Sequence, residues 1–182
     1  RLIKMRKNIL ISTGGSGGHV IPATILKDHL SKTHEVIIST DKRGYKYLDV
    51  GKYKEAEIID TPRIKNIFLL PFNLVRILFL SIKSFYLLKN KNIDRIISTG
   101  GYMSLPIILA ARLLKLKIYL FEPNLILGRA NKFFINSCEK IICYTSEIKN
   151  FPKNLKNKIE IVAPLVRKEF YNKENKNFKK KK

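Results

Sequence analysis

An α/β fold, a mostly parallel sheet with helices on both faces, is predicted by three observations. Strand-length apolar runs alternate with helical segments along the chain. Two glycine turns, Gly14-Gly15-Ser16-Gly17-Gly18-His19 and Gly100-Gly101-Tyr102, each follow such a run and precede a helical segment. Apolar residues make up 45% of 182, enough to bury the core of one domain. Turns of this kind are where α/β proteins present backbone N–H groups to phosphate oxygens. Two of them in one small domain suggest a substrate carrying a diphosphate.

The elements follow in order. Asn8–Thr13 reads as a strand, Pro22–Ser31 as a helix, Glu35–Ser39 as a strand and Tyr45–Tyr53 as a weaker helix. Ala56–Thr61 is strand-like, and a long helix lies within Phe72–Lys89. The second cycle runs Arg95–Ser98 (strand), Leu105–Leu114 (helix), Lys117–Glu122 (strand), Gly128–Ser137 (helix), then strands Lys140–Tyr144 and Ile159–Val162. Pro22 and Pro106 suit a first helical turn, where a missing N–H has no helical partner to lose. The connections Asp41-Lys42-Arg43-Gly44 and Thr61–Asn66 are polar or basic and are expected on the surface.

Lys and Arg number 36 against 14 Asp and Glu, a net charge of +22, which calls for an anionic partner. A nucleic-acid partner is not expected. The lysines are scattered, and no helix-turn-helix, aromatic RNA-binding strand or zinc-finger spacing is present. Cys138 and Cys143 have no partner pair to complete a metal site, the histidines lack ligand spacing, and a reduced intracellular chain is the expectation. The chain starts at Arg1 without a signal-peptide pattern and ends in a lysine run, so both ends read as frayed or cut.

The segment Ile67–Leu88 is interrupted by Pro71, Arg76 and Lys83 and falls short of the roughly 20 predominantly apolar residues of a membrane span. On a helix its polar residues, Asn73, Arg76, Lys83 and Ser84, lie near one stripe, and apolar residues take most of the remainder. One reading buries this helix on two sides. The other exposes Phe68, Leu69, Phe72, Val75 and Phe79 as a patch that dips into an anionic membrane surface, ringed by Arg63, Lys65, Arg76 and Lys83.

The first turn is neither a P-loop, since no Lys-Ser or Lys-Thr follows at the required spacing, nor a dinucleotide fingerprint, since Val20 occupies the third glycine position. His19 lies where strand gives way to helix, and an imidazole exchanges protons near neutrality. It suits a general base or a donor to substrate, and equally a side chain that packs the turn. Glu122 ends a strand, where such sheets carry site groups, or it is a solvated strand end. Asn124 can bond a sugar or make a turn after Pro123, and Tyr102 can stack on a sugar or cover its turn.

With Gly14-Gly15-Ser16-Gly17-Gly18-His19-Val20-Ile21-Pro22-Ala23, Gly100-Gly101-Tyr102-Met103-Ser104-Leu105-Pro106, and Glu122-Pro123-Asn124 followed by Gly128, Asn131 and Lys132, the chain resembles the MurG family of peptidoglycan glycosyltransferases. The resemblance runs from Asn8 to about Arg167 and matches only the family's N-terminal half. It implies a GT-B architecture of two Rossmann-like domains facing a cleft. Residues 1–166 would form the lipid-acceptor domain and 167–182 a basic tail or the start of the interdomain hinge, with the C-terminal donor domain absent.

The implied reaction moves N-acetylglucosamine from UDP-N-acetylglucosamine to the C4 hydroxyl of the undecaprenyl-diphosphate-linked muramyl pentapeptide, lipid I, with inversion and no cofactor or metal. It would take place on the cytoplasmic face of the bacterial membrane. The resemblance makes His19 and Glu122 the catalytic candidates. It also gives Ser16, Gly17, Gly18, Gly100, Gly101, Tyr102, Asn124 and Arg167 substrate-binding roles. The chain departs from the family at Phe121 and Pro123, where a His and a Gln are usual, and at Ala163-Pro164-Leu165-Val166-Arg167, where the hinge motif is Gly-Asn-Pro-Val-Arg. These positions bear on donor contacts and the hinge; the acceptor-side turns match. An alternative is a stand-alone acceptor subunit that anchors a separate donor-domain partner.

Overall fold

Runs such as Asn8-Ile-Leu-Ile-Ser and Arg95-Ile-Ile-Ser are apolar on successive residues, as strands buried on both faces must be. The computed structural model describes residues 7–62 and 67–165. Its strands are β1 (Asn8–Ser12), β2 (Glu35–Thr40), β3 (Glu57–Ile58), β4 (Arg95–Ser98), β5 (Lys117–Glu122), β6 (Lys140–Cys143) and β7 (Ile159–Ile161). They form one sheet in the order β3-β2-β1-β4-β5-β6-β7, with every pairing parallel. The helices are α1 (Gly17–Leu30), α2 (Lys42–Tyr45), α3 (Leu70–Asn90), α4 (Leu105–Leu113) and α5 (Arg129–Phe134).

The period-2 alternation of each strand divides the core into two layers. Ile9 and Ile11 of β1 join Val20, Ala23, Val36 and Ile38 beneath α1. Leu10, between them, joins Leu88, Ile96, Ile107, Ile108, Ala111 and Leu120 on the opposite face, beneath α3 and α4.

Several elements differ from the expectation. Helix α1 begins at Gly17, five residues before Pro22, which therefore lies inside the helix and not in its first turn. Glycine is a poor helix former, so the stretch reads as loop, yet Ser16 takes the extended N-cap conformation (φ −147, ψ 160) and the helix starts there. The helix expected over Tyr45–Tyr53 is only the four residues of α2, capped by Asp41, whose side chain accepts from the Gly44 N–H. Past it, Asp49 Oδ1 accepts from the Gly51 N–H at 2.9 Å and turns the chain away from helix. Strand β3 shrinks to two residues at the sheet edge. The helix expected over Gly128–Ser137 divides into α5 and a 3-10 turn at Ile135–Ser137.

Helix α3 spans the long helix expected within Phe72–Lys89, and its exposed apolar face follows the second of the two readings. Its buried residues are Asn73, Ile77, Ser81, Ser84 and Leu88, so small polar side chains face inward. Ser81 Oγ donates to the Ile77 carbonyl at 2.8 Å and Ser84 Oγ to Leu80 at 2.7 Å. Satisfied on their own helix, these hydroxyls are free to lie against the rest of the domain. Phe72, Leu74, Val75, Leu78, Phe79, Ile82 and Tyr86 are exposed instead. By length and composition α3 could cross a membrane, with 21 residues and a mean hydropathy of 1.3 over its most apolar window, contrary to the expectation drawn from Pro71, Arg76 and Lys83. It packs along α4 as part of the domain's outer layer.

Candidate functional site

Strand β1 continues to β2 and β3 on one side of the sheet, while β4 returns to its other side and the sheet grows the opposite way. That reversal opens a crevice beyond the carboxyl ends of β1 and β4, where open α/β sheets bind ligands. A cleft of about 700 Å³ lies there, lined among others by Gly15, Ser16, His19, Gly100, Gly101 and Tyr102. From the β5 side Glu122, Asn124 and Asn131 complete the wall, and Arg43 and Arg129 also line it.

Both glycine turns line this crevice. At the start of α1 the N–H groups of Ser16, Gly17 and Gly18 find no partner among the described residues, and Ser16 supplies no side-chain cap. No acidic residue occupies the first turn of α1. The positive end of the helix is therefore unneutralised by its own sequence. In the second turn Gly101 has φ +90, and a Cβ there would run into the Met103 side chain, so only glycine fits.

The two turns are tied beneath the cleft by a buried hydroxyl ladder. Ser12 Oγ and Ser98 Oγ each lie within hydrogen-bond distance of Ser104 Oγ, at 3.2 and 2.9 Å. Thr99 and Thr13 hydroxyls meet at 2.7 Å.

His19 is half-buried, and its Nδ1 lies 2.7 Å from the Thr99 carbonyl oxygen. A carbonyl can only accept, so Nδ1 carries a proton, and in the neutral ring the lone pair is on Nε2. Thr99 is itself fixed, its N–H donating to the Ser12 carbonyl at 3.0 Å. The ring is thus held in one tautomer by main chain from β1 and β4.

Glu122 is only 2% exposed at the end of β5. Its Oε1 accepts from the backbone N–H and side-chain amide of Asn124, at 3.2 and 2.9 Å. Its Oε2 accepts from the Gly128 N–H at 2.7 Å and Asn131 Nδ2 at 3.0 Å. All four donors come from the segment that Glu122 precedes, so the carboxylate folds Pro123–Asn131 into shape. Asn131, 3% exposed, has an amide oxygen with no partner among the described residues.

The connection Asp41–Gly44, expected on the surface, is built into the site. Asp41 is fully buried, and its Oδ1 accepts from the N–H groups of Gly15 and Gly44, both at 2.8 Å. Its Oδ2 accepts from Arg43 Nε at 2.6 Å. An acidic residue at the end of a second strand is where dinucleotide sheets bind ribose, but a carboxylate with no exposure cannot do that here. Asp41 instead holds the first glycine turn in place. The available signal was its place at a strand end one step from the topological switch, with Gly44 three residues on.

Of the sequence candidates, His19, Glu122, Ser16, Asn124, Gly100, Gly101 and Tyr102 meet in one cleft, with Gly17 and Gly18 in the first turn of α1 beside it. Arg167 lies outside the described residues, as do Arg63 and Lys65. Phe68, Leu69, Phe72, Val75 and Phe79 are all exposed, between 54% and 89%, just before α3 and along its first half, and none of them lines the cleft.

The glycosyltransferase family 28 N-terminal domain matches residues 9–143. The chain belongs to glycosyltransferase family 28. Within that family it is 50% identical, over 95% of its length, to a Pelagibacter ubique UDP-N-acetylglucosamine–N-acetylmuramyl-(pentapeptide) pyrophosphoryl-undecaprenol N-acetylglucosamine transferase, of which it covers 49%. A Rickettsia felis relative of the same name is 35% identical over 91% of this chain and 46% of its own. The chain spans about half the length of the curated relatives it matches.

The structure of Acinetobacter baumannii MurG superposes with a TM-score of 0.70 at 22% identity, over 88% of this chain and 46% of that one. A Neisseria meningitidis UDP-GlcNAc 2-epimerase superposes at 0.60 with 15% identity, over 85% and 45%. At these identities the superpositions speak for the fold alone: a Rossmann-like sheet forming the N-terminal half of a GT-B architecture.

Proposed function

We propose that this domain is the acceptor-binding half of a glycosyltransferase that moves N-acetylglucosamine from UDP-N-acetylglucosamine to the C4 hydroxyl of the muramyl sugar of lipid I, producing lipid II. The observation that carries the reading is the fixed tautomer of His19, 2.7 Å from the Thr99 carbonyl, at the floor of a cleft framed by two glycine turns. Nε2 takes the proton of the C4 hydroxyl as its oxygen bonds to the anomeric carbon of N-acetylglucosamine and the bond from that carbon to the UDP oxygen breaks, releasing UDP. The unpartnered N–H groups at the start of α1, with that of Gly101, carry the electrostatic load of diphosphate, while the Gly100 N–H is held by Ser98 Oγ at 3.3 Å. Glu122 acts as a positioning residue, since its oxygens already accept four hydrogen bonds. Asn124, held through its amide N–H, offers its carbonyl oxygen to a sugar.

The exposed apolar face of α3 seats the domain on an anionic lipid surface, on the cytoplasmic side of a bacterial membrane where a lipid-linked acceptor is reached. In this reading the donor-binding half is supplied by sequence beyond the 182 residues, on the same polypeptide or on a separate subunit. The reading frame of the encoding DNA tells these apart.

The test is transfer of labelled N-acetylglucosamine to a lipid I analogue in vesicles. The chain alone should bind the vesicles and transfer nothing, and detectable transfer by it would overturn the assignment as a half-site. Joined to a donor-binding half it should transfer, and His19→Ala should lower the rate by about a hundredfold or more. An unchanged rate would remove His19 as the base.

A further inference from the structure

The family reading leaves the two arginines that line the cleft without a role, Arg43 after β2 and Arg129 after β5. With the turns after β1 and β4 they occupy four adjacent strand ends of the sheet, a cation at each flank and backbone donors between. Arg43 is the better defined. Its Nε donates to Asp41 Oδ2 at 2.6 Å, and its terminal amino groups have no partner among the described residues. A guanidinium serving only to neutralise a buried carboxylate commonly grips it with two parallel bonds. Here a single Nε bond fixes the plane and leaves the Nη edge, the part that matches two phosphate oxygens, available in the cleft.

We infer that Arg43 binds a diphosphate in this cleft and that Asp41 is its positioning residue, an inference that rests on the function proposed above and deepens it. Two further observations support it. The side chain of Asp41 has no exposure, and it holds the Gly15 N–H and Arg43 through its two oxygens, so the first glycine turn and the guanidinium are set by one rigid group. Glu122, the one carboxylate among the described residues that line the cleft, is turned into four internal donors and does not compete for the guanidinium. The shared chemistry is a diphosphate ester, whether it belongs to a nucleoside diphosphate or to a prenyl diphosphate.

The test is calorimetric titration of the chain with three probes: inorganic pyrophosphate, UDP and farnesyl diphosphate. Arg43→Gln should weaken binding about tenfold or more, the loss of a charge-assisted contact. Arg43→Lys, which keeps the charge and loses the fork, should fall between, and it carries the test if Arg43→Gln does not fold. Asp41→Asn keeps an oxygen for the Gly15 and Gly44 N–H groups but turns an amide N–H toward Arg43 Nε, releasing the arginine. Its loss of affinity should match that of Arg43→Gln, and the two together should lose no more than either alone.

A loss confined to UDP assigns Arg43 to the donor, and one confined to farnesyl diphosphate assigns it to the lipid acceptor. A loss with all three probes assigns it to the diphosphate itself, and each pattern supports the inference. Tight binding by the wild type that Arg43→Gln leaves within about twofold overturns the inference while the diphosphate cleft stands. Wild-type binding of none of the probes overturns both. Asp41→Asn that binds as the wild type does refutes the positioning role.

Discussion

Replacing Glu122 by Gln separates a carboxylate that holds a loop from one that waits as a free base. The native group accepts from Asn124 N, Asn124 Nδ2, Gly128 N and Asn131 Nδ2 at 2.7 to 3.2 Å, and the residue is 2% exposed. Glutamine brings one acceptor oxygen and one donor nitrogen. Its best orientation keeps the oxygen on the buried pair, Gly128 N and Asn131 Nδ2, and sets N–H against the two Asn124 donors. Asn124 is exposed, so its side chain can turn over and recover one bond, while its backbone N–H is left facing a donor.

Losing the charge on the surviving bonds and one bond outright costs about 2–4 kcal/mol. For a chain of this size that lowers the melting temperature by about 4–16 °C. Thermal unfolding followed by circular dichroism measures it. Melting within about a degree of the wild type would refute the reasoning and return Glu122 to the list of free bases.

Three other perturbations bear on separate parts of the molecule. Phe72→Asp with Phe79→Asp, at residues 68% and 67% exposed, should weaken sedimentation with phosphatidylglycerol vesicles at least about tenfold with no loss of melting temperature; unchanged binding would remove the membrane face. Gly44→Ala would place a Cβ 2.6 Å from Gly14 Cα, displacing the first glycine turn, and urea unfolding should show a loss of about 1–3 kcal/mol; equal stability would mean the two loops are not in contact. Burial, aided by Glu122 and Cys138, pushes the Cys143 thiol from 9.0 to about 12. The folded chain keeps this thiol protonated where the unfolded chain ionises it, so its contribution is intact below pH 9 and is lost as pH rises toward 12. Native protein should therefore resist thiol labelling at mildly alkaline pH and label in denaturant, and rapid native labelling would contradict the burial.

What could be read from sequence was what local chemistry decides. The apolar runs, the glycine turns, the place of His19 where the first turn enters helix and that of Glu122 at a strand end were legible because each depends on neighbours within a few residues. Asp41 was not, since its decisive partner, the Gly15 N–H, lies 26 positions away and a polar Asp-Lys-Arg-Gly string looks like any surface turn. The start of α1 was hidden because its first two residues are glycines, whose propensity argues for loop until the N-cap conformation of Ser16 is seen. For helix α3 the sequence left two readings open, and the exposure of Phe72, Val75 and Phe79 follows the second, but the reason for it was not legible. Patterning reads polar as outward, whereas Asn73, Ser81 and Ser84 face inward, the serines satisfied by their own helix, and leave the aromatic face exposed.

That inversion makes the proposed membrane face and the cleft parts of one connected arrangement. Arg76 on α3 donates to the Asp60 carbonyl at 3.2 Å and lies 3.7 Å from the Asp60 carboxylate. One residue on, Thr61 Oγ1 donates to the Met103 carbonyl at 3.2 Å, inside the second glycine turn. Helix α4 starts directly after that turn and packs along α3. A helix laid against lipid through Phe72, Val75 and Phe79 is thus joined by two short links to the backbone donors proposed to hold the diphosphate. A lipid-linked diphosphate has its phosphates at the membrane surface by construction. A domain that binds it gains most when its apolar face and its phosphate donors keep a fixed relation, because the ordering cost is then met at folding and not at each encounter. The inward serines of α3 and the Thr61–Met103 bond are the features that fix that relation.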